Sequence, residues 1–261
     1  MSARVARALP AALLVLALLG AWELYVDLAG VAEDLLPAPH AVAAALWDNA
    51  GLVGRNFAVT AEEVVLGLAL ALACGLASAV AIHLSPLLRS AVYPLAVGSQ
   101  AIPIPVIGVL LVFWWGFGIL PKLVVIALIC FFPVLVTTVD GLAAVDPDQP
   151  KLMRTLDATR WQSFRFAELP AALPAALSGA RIALAVGVIG AFIAETSTPT
   201  SEAYAGLGRE IVVDVGNGFQ TPLAYAATTV LFAFAIACFY ALGLVERRLV
   251  PWSIQTRGET Q

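Results

Sequence analysis

Charge is scarce in this chain. Asp, Glu, Lys and Arg make up only 12% of its 261 residues, roughly half the share usual in soluble proteins, which is too little to clothe a water-facing surface. Histidine and cysteine are scarcer still. Cys74, Cys130 and Cys238 each sit inside an apolar run, and the histidines number two, His40 and His83; a disulfide framework and a metal constellation are both excluded as expectations, and no cofactor is expected. A net charge of -4 argues against a nucleic-acid partner. The sequence also lacks a Gly-x4-Gly-Lys-Ser/Thr phosphate loop, a His-Glu-x-x-His and a Gly-x-Ser-x-Gly, so it carries no motif for hydrolysing ATP alone and no catalytic site. Ten-residue alternating strands are missing too, which excludes an outer-membrane barrel.

What is present is apolar: 61% hydrophobic residues and a mean hydropathy of +0.92. The expected solvent is the bilayer, and since lipid leaves no backbone group unsatisfied, each crossing must be helical. At about 20 residues per crossing, six spans fit: 9–28, 64–84, 92–115, 123–139, 177–194 and 223–245. The fold class is therefore all-α and polytopic. The first run, preceded by Arg4 and Arg7, also has the look of a secretory signal peptide. It continues past Trp22 to Leu28 with no convincing small-x-small cleavage site and is read as a span.

Orientation follows from the basic residues. With both termini cytoplasmic, Arg4, Arg7, Arg89, Lys151, Arg154, Arg160, Arg165, Arg181, Arg247, Arg248 and Arg257 lie inside, against Arg55, Lys122 and Arg209 outside. Asp27, Glu33, Asp34, Asp48, Glu202, Glu210 and Asp214 then fall on the outer face. Glu23 sits near the outer end of the first span, where it can face other helices or headgroups. The segment His40–Asn49 places Val42, Ala45 and Leu46 together at helical spacing and reads as an interfacial helix, with His40 a solvated or capping residue.

Pro103 and Pro105 interrupt the third span, which must kink or break there; broken backbone at membrane depth survives only against protein or a water-filled path. Trp114 and Trp115, beside Gly116-Phe117-Gly118, mark the outer interface. Gln100, Trp114 and Glu195 are the candidates for lining a translocation path.

One polar insertion stands out, 140–179, which carries Lys151, Arg154, Arg160 and Arg165, with Arg181 at its edge. Its interior reads as two short amphipathic helices, 151–156 and 160–169. The Thr159-Arg160-Trp161-Gln162 order predicts a reciprocal N-terminal cap, and Pro170 with Pro174 is expected to end the second helix. Leu152, Met153, Leu156, Trp161, Phe164 and Phe166 among arginines suit a protein-docking surface, although an amphipathic segment lying on anionic lipid has the same composition. An ion-coupled secondary transporter is the rival from another class. It would need ionisable groups deep in the membrane, and Glu23, Glu195 and His83 all lie near boundaries.

The stretch 151–165, followed by Glu168-Leu169-Pro170-Ala171-Ala172-Leu173-Pro174, resembles the cytoplasmic "EAA" loop of binding-protein-dependent ABC importer permeases. The resemblance runs from about Leu36 to Trp252 and takes in Leu36-Pro37-Ala38-Pro39, Ile102-Pro103, Trp115-Gly116-Phe117-Gly118, Ala194-Glu195 and Gly206-Leu207-Gly208. It is most similar to the nitrate, sulfonate, taurine and pyrimidine group, and in detail to the permease serving hydroxymethylpyrimidine, a thiamine precursor. That resemblance implies a type I importer permease fold, with residues 1–261 as one transmembrane permease domain in the plasma or inner membrane. It also implies cytoplasmic ATP-binding subunits, an external solute-binding protein and a second permease subunit, expected as a homodimer. Carried onto this chain, Leu156, Asp157, Ala158, Thr159, Arg160, Trp161 and Phe164 would couple to the ATPase. The family's Glu-Ala-Ala is here Lys151-Leu152-Met153, its turn glycine is Asp157, and Val109 stands where relatives often carry Pro. A glycine at the turn implies a left-handed backbone, which Asp tolerates better than most residues.

Overall fold

The computed structural model describes residues 3–197, 205–217 and 221–251. Residues 198–204, with Glu202, lie outside the described residues, as do Trp252 and Arg257. The described residues form helices α1 (Ala3–Ala29), α2 (Pro39–Asp48), α3 (Ala50–Leu84), α4 (Pro86–Gly98), α5 (Ile104–Trp115), α6 (Ile119–Ala143), α7 (Asp148–Thr155), α8 (Arg160–Ser163), α9 (Leu169–Ser197), α10 (Leu207–Asn217) and α11 (Thr221–Leu249). Among the described residues, five helical runs are long and apolar enough to cross a bilayer, and a sixth crossing results if the bent pair α4–α5 counts as one.

The core is α6 clasped between α3 and α9. Small residues set how closely these helices approach, the usual route to association where no hydrophobic force distinguishes helix from lipid. On α3, Gly67, Ala71, Gly75 and Ala79 recur every fourth position and are buried. A Cβ at Gly67 would lie 2.6 Å from Ile126 Cγ2, and one at Gly75 2.8 Å from Val134 Cγ1. On α9 the stripe is Gly179, Ala183, Gly187 and Ala191, with Gly187 against Cys130 Sγ. Cys130 itself is buried and donates its thiol to the Ala183 carbonyl at 3.1 Å. By contrast α1 presents Leu13, Leu14, Val15, Leu16 and Leu18 outward, as a lipid-facing helix does.

Four sequence expectations change or are made specific here. The second span is far longer than 64–84: α3 runs 35 residues from Ala50, about 52 Å at 1.5 Å per residue, so it outreaches a hydrocarbon core of about 30 Å. The third span, expected to kink or break, is broken into two helices bent by 99°, because Ile102 before Pro103 is extended (φ -81°, ψ 126°), as a residue preceding proline prefers. The fifth span starts at Leu169 instead of 177. Finally, Pro170 and Pro174 do not end the second short helix. A π-turn over Phe164–Glu168 joins α8 to α9, with the Leu169 amide donating five residues back to Phe164. The wider turn relieves the clash of a proline ring with the carbonyl four residues earlier, so helix continues from Arg160 to Ser197.

Candidate functional site

The elbow between α6 and α9 is built by local chemistry. Asp157 adopts φ 52°, the one positive φ at a non-glycine residue among the described residues, and turns the chain sharply between α7 and α8. Thr159 then starts α8 with both halves of the expected cap: the Gln162 amide donates to Thr159 Oγ1 at 3.3 Å, and the Thr159 amide donates to Gln162 Oε1 at 2.8 Å. The turn thrusts apolar groups into the open. Leu152, Leu156, Trp161 and Phe166 are all more than half exposed, with Arg154, Arg160 and Arg165 exposed among them.

Phe164 is different. It is 2% exposed and packs under the elbow with Leu142, Ala172, Val80 and Leu84, its ring 5.4 Å from that of Trp161. The expectation that Phe164 is a contact residue is corrected: it is the pedestal on which Trp161 rests. Leu156, Asp157, Thr159, Arg160 and Trp161 are exposed and Ala158 half-buried. The elbow is also tied to the end of α3. Arg160 Nη2 donates to the Leu84 carbonyl at 2.8 Å, and His83 Nε2 meets Glu168 Oε2 at 2.6 Å.

The three path candidates do not come together. Gln100 is exposed in the 3-10 turn Ser99–Ala101, and Trp114 is 71% exposed near the end of α5. Glu195 instead is 2% exposed. Its Oε1 accepts from Thr60 Oγ1 at 2.6 Å and its Oε2 from the Gly208 amide at 2.5 Å, while the Leu207 amide donates to Thr60 Oγ1 at 2.9 Å. A carboxylate thus caps the first turn of α10, where backbone amides and the helix dipole favour negative charge. Ala194-Glu195 and Gly206-Leu207-Gly208, far apart as motifs, are one site: a side chain at Gly206 would overlap the Glu195 carboxylate.

Beside it lies a pair that sequence reasoning missed. Lys122, counted as an outer-face charge, is fully buried and donates to Glu63 Oε1 at 2.7 Å. Glu63 is equally buried, has Glu195 as its acidic neighbour, and its Oε2 has no hydrogen-bond donor among the described residues. A usable signal existed, since opposite charges stood at the margins of two apolar runs. At the far edge Glu23 holds His40, the side chains meeting at 2.5 Å and the His40 amide donating at 3.3 Å. This bond, and the Glu23 charge behind it, raise the His40 pKa above 6.5.

Residues 67–252 match the model of the binding-protein-dependent transport system inner membrane component family. The chain belongs to that family. This permease is 34% identical to a probable ABC transporter permease protein of Haemophilus influenzae, covering 95% of this chain and 99% of the relative. It is 32% identical to the riboflavin transport system permease protein RibX of Chloroflexus aurantiacus (88% and 85%). A third relative, the formylaminopyrimidine transport permease protein ThiX of Halalkalibacterium halodurans, is 31% identical (94% and 96%). Among solved structures, an amino acid ABC transporter matches with a TM-score of 0.62 at 19% identity, covering 78% of this chain and 96% of that one. The MetNI methionine ABC transporter, inward facing, gives 0.62 at 17% (78% and 97%). The fold is therefore that of type I ABC importer permeases. The permease is the non-catalytic membrane subunit of an importer that works with an external binding protein.

Proposed function

We propose that this permease imports a small pyrimidine-type heteroaromatic solute, using the elbow to receive the stroke of a separate ATP-hydrolysing subunit. The observation carrying the coupling role is the exposure of Leu156 and Trp161 on a turn that Asp157 holds in the left-handed region. Apolar and aromatic groups rimmed by arginine are the composition of a buried protein contact. In this reading Leu156, Asp157, Ala158, Thr159, Arg160 and Trp161 meet the ATPase and Phe164 supports them from beneath. Two permease chains, as a homodimer, pair with two ATPases, and both termini lie in the cytoplasm. Gln100 and Trp114, on the bent pair, line the path between the two copies, and Glu195 acts through the outer end of α10.

The substrate class rests on the relatives named for riboflavin and formylaminopyrimidine, both nitrogen heteroaromatics. Proteoliposomes test the whole reading. The permease alone moves no solute, and uptake of hydroxymethylpyrimidine needs ATP, the ATPase and the binding protein. Flux driven by an ion gradient without them would contradict it. Mass spectrometry of the ligand retained by the co-purified binding protein decides the substrate: a pyrimidine supports the assignment, and taurine, another sulfonate or nitrate overturns it.

A further inference from the structure

The chain joins the elbow to α6 through residues 144–147 and to α9 at the π-turn, and a further attachment is not covalent. The π-turn joins it to α9 through a continuous helical run, but five-residue hydrogen bonding is a local weakness where a helix can flex. Held only by that turn and the short 144–147 link, the elbow could shift about the π-turn. The non-covalent attachment is to the last turn of α3, through two contacts that reach it and one hydrogen bond within the elbow that braces them. His83 Nε2 meets Glu168 Oε2 at 2.6 Å; Ser163 Oγ donates to the other oxygen of the same carboxyl, Oε1, at 3.1 Å; and Arg160 reaches the Leu84 carbonyl at 2.8 Å. The His83 and Glu168 side chains are 24% and 14% exposed, and the imidazole lies 5.9 Å from the Phe164 ring.

Beyond Leu84 the chain passes into α4 through a single residue. Ser85 ends α3 and starts α4, its Oγ accepting from the Leu88 amide, so the end of α3 is also the root of the bent pair that carries Gln100 and Trp114. We infer that His83 and Glu168 are positioning residues: they clamp the elbow to the α3–α4 junction, so that a displacement of the elbow is passed to the bent pair instead of being absorbed at the π-turn. This rests on the reading of the elbow as the ATPase contact. His83 touches neither solute nor nucleotide in this scheme; it decides where the movement goes.

The test uses the full complex in proteoliposomes, with the ATPase and with the binding protein as purified, carrying its native ligand. Two quantities are read: ATPase association, and the stimulation of ATP hydrolysis by the binding protein over the basal rate. His83→Leu and Glu168→Leu keep association and basal hydrolysis, and stimulation falls about tenfold, the loss expected for one hydrogen bond to a charged group. His83→Gln, whose amide still donates to the carboxylate, stays within about twofold of the parent, a rescue that bulk packing alone would not produce. If the leucine variants fail to insert, Ser163→Ala, which frees one oxygen of Glu168, gives a partial loss of stimulation on a normally inserted chain. Undiminished stimulation in the leucine variants overturns the clamp, as does a His83→Gln variant as defective as His83→Leu, or an unaffected Ser163→Ala where the leucine variants do not insert. Unchanged association in Trp161→Ala would instead overturn the underlying ATPase contact; lost association there with normal clamp variants defeats the clamp alone.

Discussion

The two ends of the helical core handle charge in opposite ways. At one end Glu63, Lys122, Glu195 and Thr60 are buried and bonded to one another or to the first amides of α10. At the other, Arg154, Arg160 and Arg165 stand exposed beside Leu156 and Trp161. Buried charge survives only with its partner present and holds helices in one arrangement. Exposed charge around apolar groups leaves a surface waiting for something to cover it. One end is finished within this chain, whereas the other, in the function proposed above, is completed by another.

The largest effect should come from breaking the finished end. Glu63→Leu or Lys122→Leu alone strands a buried charge and should cost about 3–5 kcal/mol, seen as loss of inserted, folded protein and a lower unfolding temperature in detergent. Replacing both residues together should recover most of that loss, and a double variant no better than the singles would deny that they act as a pair. At the open end, Trp161→Ala should weaken ATPase association by about 2 kcal/mol, measurable by pull-down, without changing the permease's own unfolding. Unequal effects of this kind are the comparison restated in energies.

Smaller changes sharpen it. At Asp157 a left-handed backbone costs a non-glycine residue about 1–2 kcal/mol. Asp157→Gly should therefore tighten the elbow and slow amide exchange in 155–160, and Asp157→Val should speed it. The smallest effect concerns His40. Its pKa is raised in the folded protein by the bond to Glu23, so the tie is complete below the unfolded value of about 6.5 and is lost as pH rises through the higher folded value. Nuclear magnetic resonance titration should place the His40 midpoint above 6.5, and Glu23→Gln should bring it down.

Much of the elbow was legible in the sequence because its determinants are local. The cap at Thr159 needs only residues 159–162, and the left-handed turn needs only one position. The apolar runs likewise mark the crossings. What escaped depends on which helices become neighbours. Charges at the margins of two apolar runs call for partners, but nothing near Lys122 says that Glu63, 59 positions earlier, is its own, so Lys122 reads as an outer-face charge. Phe164 and Trp161 look equivalent as a string, and only the packing of α3, α6 and α9 under the elbow buries one and leaves the other out. Pro170 and Pro174 signal a helix end in isolation, yet the π-turn before them lets the helix run on.

The account is tested most directly by a photo-crosslinking residue substituted at Leu156 in the assembled transporter in native membranes. The predicted product is an adduct with the ATP-hydrolysing subunit, formed from the cytoplasmic side. Adducts with lipid alone, or labelling of this position by an impermeant reagent from the cell exterior, would contradict both the coupling role and the orientation.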